Sequence, residues 1–238
     1  MTGKPSSIGR ALLVLGDQWT LLILQRAFLG VRRFQDWQVA LNVSESVLAS
    51  RLRDLLTQGL LTKVRYAGEG VRGREEYRLT ASGLATWRIL VAIWNWENRW
   101  VTSHTGLPDL RHERCGRTAE PVLACGHCGL AVTPHETAVE QRHGTYDEAS
   151  PPRRHRHRGK GPDPRDPLSF FPETLELLGD RWGSALLAAS FLGLSRFGEF
   201  ERELRIPPSV LSERLRRFTE LGVLRAEDRT YRLTDKGL

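Results

Sequence analysis

Two sets of residues in this chain have types and spacings that could do chemistry. The first is sulfur and imidazole. Leu110-Arg-His112-Glu-Arg-Cys115 is followed by Pro121-Val-Leu-Ala-Cys125-Gly-His-Cys128-Gly. A Cys-x-x-Cys pair with glycine behind it turns both thiolates toward one point, and His112 with Cys115 repeats that interval. His112, Cys115, Cys125 and Cys128 could therefore close a tetrahedral Zn²⁺ site, structural because no position stays open. His127 and His135 compete as fourth ligand. A Cys125 and Cys128 redox pair, or three thiols without a role, are the other readings.

The second set is hydroxyl and guanidinium. Ser44 suits a helix N-cap and Gly59 a left-handed end, so Glu45 to Gln58 is expected to be helical. At 3.6 residues per turn Leu48, Leu52 and Leu55 share one face, while Ser46, Ser50, Arg53 and Thr57 share the other. A face of short hydroxyls and one long Arg can enter a major groove and offer donors to base edges and phosphates. An ordinary surface helix ahead of a hairpin is the alternative.

Other elements must hold that helix in place. Gly16-Asp17 should cap a helix from Gln18 to Leu29, and Phe34 to Leu41 should form the first half of a helix-turn-helix, with Arg32 and Arg33 ahead of it to grip phosphate. Ile8 to Leu15 reads as a short apolar helix. Leu61 to Tyr66 and Glu75 to Leu79 read as hairpin strands. The tip between them, with three glycines, Arg72 and Arg74, could follow the backbone or enter the minor groove, or be a mobile loop. Thr80 should cap one helix from Ala81 to about Val101. Its apolar residues nearly encircle it, so Trp87, Leu90 and Trp94 are expected at a dimer interface.

The end of the chain repeats its beginning. At an offset of 163, Leu15-Gly-Asp-x-Trp19 returns as Leu178-Gly-Asp-x-Trp182, Phe28-Leu29-Gly30 as Phe191-Leu192-Gly193, and Arg51-Leu52-Arg53 as Arg214-Leu215-Arg216. Tyr77-Arg78-Leu79-Thr80 returns as Tyr231-Arg232-Leu233-Thr234 at an offset of 154, so the second wing is nine residues shorter. The pattern of Leu-Gly-Asp-x-Trp, Phe-Leu-Gly-x-x-Arg-Phe, a Ser-rich helix, Gly-Leu-Leu and Glu-Tyr-Arg-Leu-Thr-x-x-Gly resembles the HxlR family of bacterial transcription regulators, relatives of the MarR type. The resemblance implies a winged-helix dimer on a roughly palindromic operator. Many members carry a regulatory Cys just before the first helix. Ser6 and Ser169 stand at those positions here, which argues against thiol sensing there, and the fusion of two repeats is a second departure.

The repeats differ on their outer faces. Glu213 replaces Ser50, Glu220 replaces Thr57, and Glu227-Asp228 stands where the first wing has Arg72 and Arg74. Of the +7 net charge, +6 falls in residues 1–104, where 14 cationic side chains face 8 acidic ones, and residues 168–238 are neutral with 11 of each. The first repeat is therefore expected to be the principal DNA reader. Its candidate contacts are Arg32, Arg33, Ser44, Ser46, Ser50, Arg51, Arg53, Arg72 and Arg74, with Arg51 flanking the buried stripe and able instead to pair with a carboxylate. Arg196, Ser209, Arg216 and Arg217 are the counterparts in a weaker second half.

The expected fold is mainly α with small β wings. Residues 1–104 form a winged helix with a Trp-rich last helix, 105–140 a Cys-rich, zinc-ribbon-like module, 141–167 a disordered basic Pro-rich linker, and 168–238 a second winged helix with a short wing. The apolar fraction of 40% suffices for cores, and a pI of about 9.8 suits a polyanion. Phosphate-binding glycine loops, nucleophile elbows and His-Glu-x-x-His helices are missing, so an enzyme is not expected. Membrane spans and a signal peptide are not apparent, so the cytoplasm is the expected location. The leading reading is a repressor of transcription on double-stranded DNA, as a homodimer or an intrachain pseudo-dimer. The alternatives are a winged-helix interaction scaffold and a metal or redox sensor. Nothing in the sequence points to a particular small-molecule effector.

Overall fold

The computed structural model describes residues 14–65, 75–101, 110–137 and 181–238, together with Ala11, Thr174, Leu177 and Leu178. The wing tip with Arg72 and Arg74, the linker at 141–167, Ser6 and Ser169 lie outside the described residues, and of the first short helix only Ala11, Val14 and Leu15 are included.

In the first repeat, helix α1 spans Gln18–Phe28 and begins at Asp17, whose carboxylate accepts the Thr20 N–H at 3.2 Å. This satisfies a donor that the first turn leaves unpaired. Trp19, Leu21, Leu22, Ile23 and Leu24 are buried. Helix α2 spans Phe34–Leu41 and buries Trp37, whose indole N–H donates to the Ile23 carbonyl at 3.3 Å. Asn42, at φ 45°, ends it in the left-handed region that Asn tolerates. Helix α3, Glu45–Thr57, buries Leu48, Leu52 and Leu55 against α1 and α2, and Gly59 at φ 69° closes it. Strands β1 (Leu61–Arg65) and β2 (Glu75–Leu79) pair antiparallel from Leu61↔Leu79 to Arg65↔Glu75. The Tyr77 N–H donates to the Arg32 carbonyl at 2.8 Å and ties this wing to the loop ahead of α2.

The helix expected from Ala81 to Val101 is two helices, α4 (Ala81–Ala85) and α5 (Trp87–Trp100). The break falls at Thr86. A Cβ on Gly83 would lie 2.1 Å from the Leu60 carbonyl oxygen, so α4 is pressed onto the end of α3. The Thr86 hydroxyl then donates to the Gly83 carbonyl at 2.6 Å and draws the chain into a tighter turn. Thr80 caps α4 as expected, accepting the Gly83 N–H at 3.0 Å.

The second repeat follows the same plan: α6 (Arg181–Phe191), α7 (Phe197–Leu204), α8 (Pro208–Glu220), β3 (Leu224–Glu227) and β4 (Thr230–Leu233). The agreement reaches single bonds. Tyr231 N–H donates to the Ser195 carbonyl at 2.7 Å, as Tyr77 does to Arg32, and Thr234 bonds the Gly222 carbonyl at 2.6 Å, as Thr80 does to Gly59 at 2.5 Å. A Cβ on Gly237 would meet the Val223 carbonyl at 2.3 Å. The wing is a bare hairpin in which Asp228 and Arg229, at φ 46° and 61°, make the turn between Glu227 and Thr230.

Helix α5 joins the repeats. Leu90, Ile93 and Trp94 are buried in the first core, whereas Trp96 packs on the second. The Trp96 indole donates to the Lys236 carbonyl at 2.6 Å, and fully buried Glu97 accepts the Thr174 N–H at 2.9 Å. The apolar surplus around α5 thus has a partner within the chain. Leu90 and Trp94, expected at a dimer interface, are core residues, and of the three candidates Trp87 is the exposed one. Among the described residues no helix is long and apolar enough to cross a membrane.

Candidate nucleic-acid interface

The first recognition helix is α3, held by one strong pair that faces inward. Arg51 Nε lies 2.7 Å from Asp17 Oδ1 and its Nη2 2.9 Å from Oδ2, with only 8% of the Arg51 side chain exposed. The same Asp17 carboxylate caps α1, so a single acid fixes the angle between α1 and α3. A bidentate, largely desolvated pair of this kind is much stronger than a surface pair. Of the two roles open to Arg51, the structure gives it the carboxylate, and it does not join the outer face.

That outer face carries Ser46 and Arg53, both exposed, and half-buried Ser50. Among the described residues no carboxylate is paired with Arg53. Ser44 is the N-cap residue by position, but its hydroxyl makes no cap bond and lies 3.4 Å from the Ser46 hydroxyl. The expected side-chain cap is absent because Ser44 turns toward its neighbour on the outer surface. Two short hydroxyls therefore stand together at the N-terminus of α3, where unpaired backbone N–H groups favour an anion such as phosphate.

Arg32 and Arg33 precede α2 and are exposed. Arg32 lies 3.9 Å from Glu76, which is largely buried and accepts from Arg78 Nε at 2.6 Å. Arg78, exposed on β2, and Arg65, exposed at the end of β1 opposite Glu75, are cationic groups that the sequence reading passed over. Alternation marks Arg78, which lies on the face opposite buried Leu61, whereas Arg65 shares the face of Leu61 and Tyr77 and is exposed at the far end of the strand. Lys63 donates to Glu75 at 2.8 Å, and that bond pushes its ammonium above the ordinary lysine range and the Glu75 carboxyl below the usual carboxylate range.

The second recognition helix is different on its outer side. Arg216, the counterpart of Arg53, donates to both oxygens of Glu213 at 2.8 and 3.0 Å and also to Glu220. These bonds raise the Arg216 pKa further above its ordinary value. Arg217 lies 3.3 Å from Glu220. Ser209 is exposed, beside Pro207 and Pro208, which replace Ser44 and Glu45. Arg196 precedes α7, where Glu199 accepts the N–H groups of Ser195 and Arg196, both at 2.9 Å. Those two donors hold the Glu199 carboxyl below its usual range.

The cysteine segment forms two hairpins of one construction. In the first, His112 N–H donates to Arg117 O, Gly116 N–H to His112 O and Ala119 N–H to Leu110 O, at 2.8, 2.8 and 2.5 Å. In the second, Cys125 N–H donates to Leu130 O, Gly129 N–H to Cys125 O and Val132 N–H to Leu123 O, each at 2.8 Å. The bridges Arg111↔Thr118 and Ala124↔Ala131 correspond, as do Gly116 and Gly129 at φ 70° and 73°. His112 Nδ1 lies 3.3 Å from Cys115 Sγ. The N–H groups of Cys128 and His127, with the Cys128 side chain, draw the Cys125 thiol below its ordinary range. All three cysteines are free, and among the described residues no three His, Cys, Asp or Glu side chains gather closely enough to hold a metal ion. The structure thus makes two donor pairs and does not join them.

Comparison with known proteins agrees with this architecture. The HxlR-like helix-turn-helix family matches residues 14–105 and again 177–237. Over 135 residues, 56% of this chain and 84% of the relative, the chain is 41% identical to "Uncharacterized HTH-type transcriptional regulator Rv3095" of Mycobacterium tuberculosis. It is 33% identical over 93 residues, 39% of this chain and 84% of the relative, to "Uncharacterized HTH-type transcriptional regulator YvaP" of Bacillus subtilis.

Proposed function

Because the chain belongs to the HxlR-like helix-turn-helix family, we propose that it is a transcriptional regulator that binds double-stranded DNA and reads it chiefly with α3 of the first repeat. The observation that carries this reading is the contrast between exposed Arg53 and Arg216, which two glutamates hold. A guanidinium already bonded to carboxylates must give up those bonds before it can meet a guanine edge or a phosphate. Its acidic partners would also approach the phosphate backbone at a cost.

Ser46, Ser50 and Arg53 would meet base edges, with Arg32, Arg33, Arg72 and Arg74 on phosphate or in the minor groove. Exposed Arg78 and Arg65 add cationic groups to the two faces of the wing. One reading helix per chain fits a roughly palindromic operator only if two chains bind together, one to each half-site, about 34 Å apart along the duplex. The α5 face with Trp87 and Ile89, exposed beside Leu84, supports pairing of two chains. Occupying such an operator beside a promoter would make the protein a repressor.

A salt-dependent binding titration against the intergenic region beside its own gene, with random duplex as competitor, tests the proposal. Competitor-resistant binding with a footprint of two half-sites is the expected result, with transcription from the adjacent promoter rising when the protein is removed. Weak binding that random duplex displaces equally well would leave only charge attraction and turn attention to a protein partner for the α5 face.

A further inference from the structure

We propose that His112, Cys115, Cys125 and Cys128 form a structural Zn²⁺ site, with the two hairpins of the middle segment as halves that stand apart in this structure and that the ion would join. The two hairpins are related by an offset of 13 residues. Every backbone hydrogen bond described above for the first hairpin recurs in the second 13 residues later, and so do the bridge and the left-handed glycine. Under that correspondence Cys115 falls on Cys128, and His112 falls on Cys125. The histidine therefore occupies a ligand position of the repeated unit. His127 corresponds to Arg114 in the middle of the turn, and His135 lies beyond the second hairpin on the short 3₁₀ helix Pro134–Glu136. Spacing alone leaves three histidines in competition, and the repeated backbone selects one.

The segment has almost no core: Val122, Leu123 and Leu130 are 78%, 71% and 70% exposed, and Leu110 is the residue that reaches the first repeat's apolar cluster. Isolated two-stranded hairpins are marginal in water, and small coreless units are ordinarily held by a metal or a disulfide. With three free thiols and one imidazole at corresponding positions, the donor set suits zinc in a closed tetrahedral site. Binding takes a proton from each of the three thiols and leaves a neutral imidazole on the ion. The ion would draw the two donor pairs into one set and make the segment a rigid spacer after α5.

The test uses the full-length, tag-free chain, reduced and reconstituted with Zn²⁺ or Co²⁺. One tightly held zinc per chain is expected by elemental analysis. The Co²⁺ form should show the intense visible bands of a tetrahedral ion and charge-transfer absorption of three thiolates. His112→Ala should weaken binding by more than the roughly 10–100-fold that loss of an outer-sphere partner costs, whereas His127→Ala and His135→Ala should leave affinity unchanged. The wild-type spectrum needs no variant to fold. An octahedral spectrum, two thiolates instead of three, or a reduced chain that takes up no stoichiometric metal would overturn the assignment. So would equal losses from His112→Ala and His127→Ala, or metal that follows His155 and His157 of the linker.

Discussion

The two recognition helices, α3 and α8, share an inner face and differ on the outer one. Leu48, Leu52 and Leu55 are buried in one, and Leu211, Leu215 and Phe218 in the other. The connection to the wing, the tie to the loop before the preceding helix and the close glycine contact are the same to within a few tenths of an ångström. On the outside, Ser50 and Thr57 have become Glu213 and Glu220, and those glutamates hold the arginine that both helices keep. The difference teaches that the fold is specified by the buried stripe and by backbone bonds, which do not sense the outer residues. A duplicated domain can thus retain its fold after its outer face has ceased to suit a polyanion.

If the folds are equivalent, Gly83→Ala and Gly237→Ala should be equally damaging, because each puts a Cβ within 2.3 Å of a backbone carbonyl. We expect a loss of about 3 kcal/mol from each, measured by denaturant unfolding. A harmless Gly237→Ala would show that the second repeat is the looser one.

If the outer faces are unequal, Arg53→Ala should weaken operator binding by about 10–100-fold, whereas Arg216→Ala should change it by less than about twofold. Parallel losses in a binding titration would break the comparison. A converse test moves the first face onto the second helix. Glu213→Ser with Glu220→Thr releases Arg216 and removes two negative charges, so DNA affinity should rise by up to about tenfold, with a steeper salt dependence. No change would mean that α8 does not face the duplex.

Smaller effects separate the repeats at their turns. Asn42 and Arg205 occupy the same left-handed position, at φ 45° and 49°, and Asn tolerates it better than Arg. Arg205→Asn should therefore raise stability by about 0.5–1 kcal/mol in thermal unfolding. Glu199, bonded to two backbone N–H groups at the start of α7, is a stronger acid in the folded chain than in the unfolded one, where a glutamate titrates near about 4.3. Its stabilisation is complete above that pH and is lost as acid titrates the folded carboxylate. Glu199→Gln should flatten the acid limb of the second repeat's stability curve, and an unchanged limb would assign acid sensitivity elsewhere.

Much of the local structure was legible in the sequence. The limits of α1, α2 and α3 came within a residue or two of the structure, because caps, left-handed ends and an apolar period all depend on neighbours in sequence. The helix expected from Ala81 to Val101 failed for a different reason. The break falls at Thr86, and the packing of α4 against the Leu60 carbonyl beside it is a contact that a helical pattern cannot reveal. The Ser44 cap failed because position permits a side-chain bond without requiring it. Of the candidate DNA contacts, Arg53, Ser46 and Arg32 are exposed as expected, Arg51 is turned inward, and Arg65 and Arg78 are further exposed cations on the wing.

By itself the sequence determined the duplication, the winged-helix plan, the placement of positive charge in the first repeat and the two donor pairs of the cysteine segment. Each is a matter of residue type and interval along the chain. Only the tertiary structure decided that Arg51 belongs to Asp17 and that α5 packs one face on each repeat. It also decided that His112 stands in the first hairpin where Cys125 stands in the second. The physical reason is common to Arg51 and α5. A long side chain or an apolar face can take several partners, and which one it takes depends on groups far away in sequence that folding brings within a few ångströms.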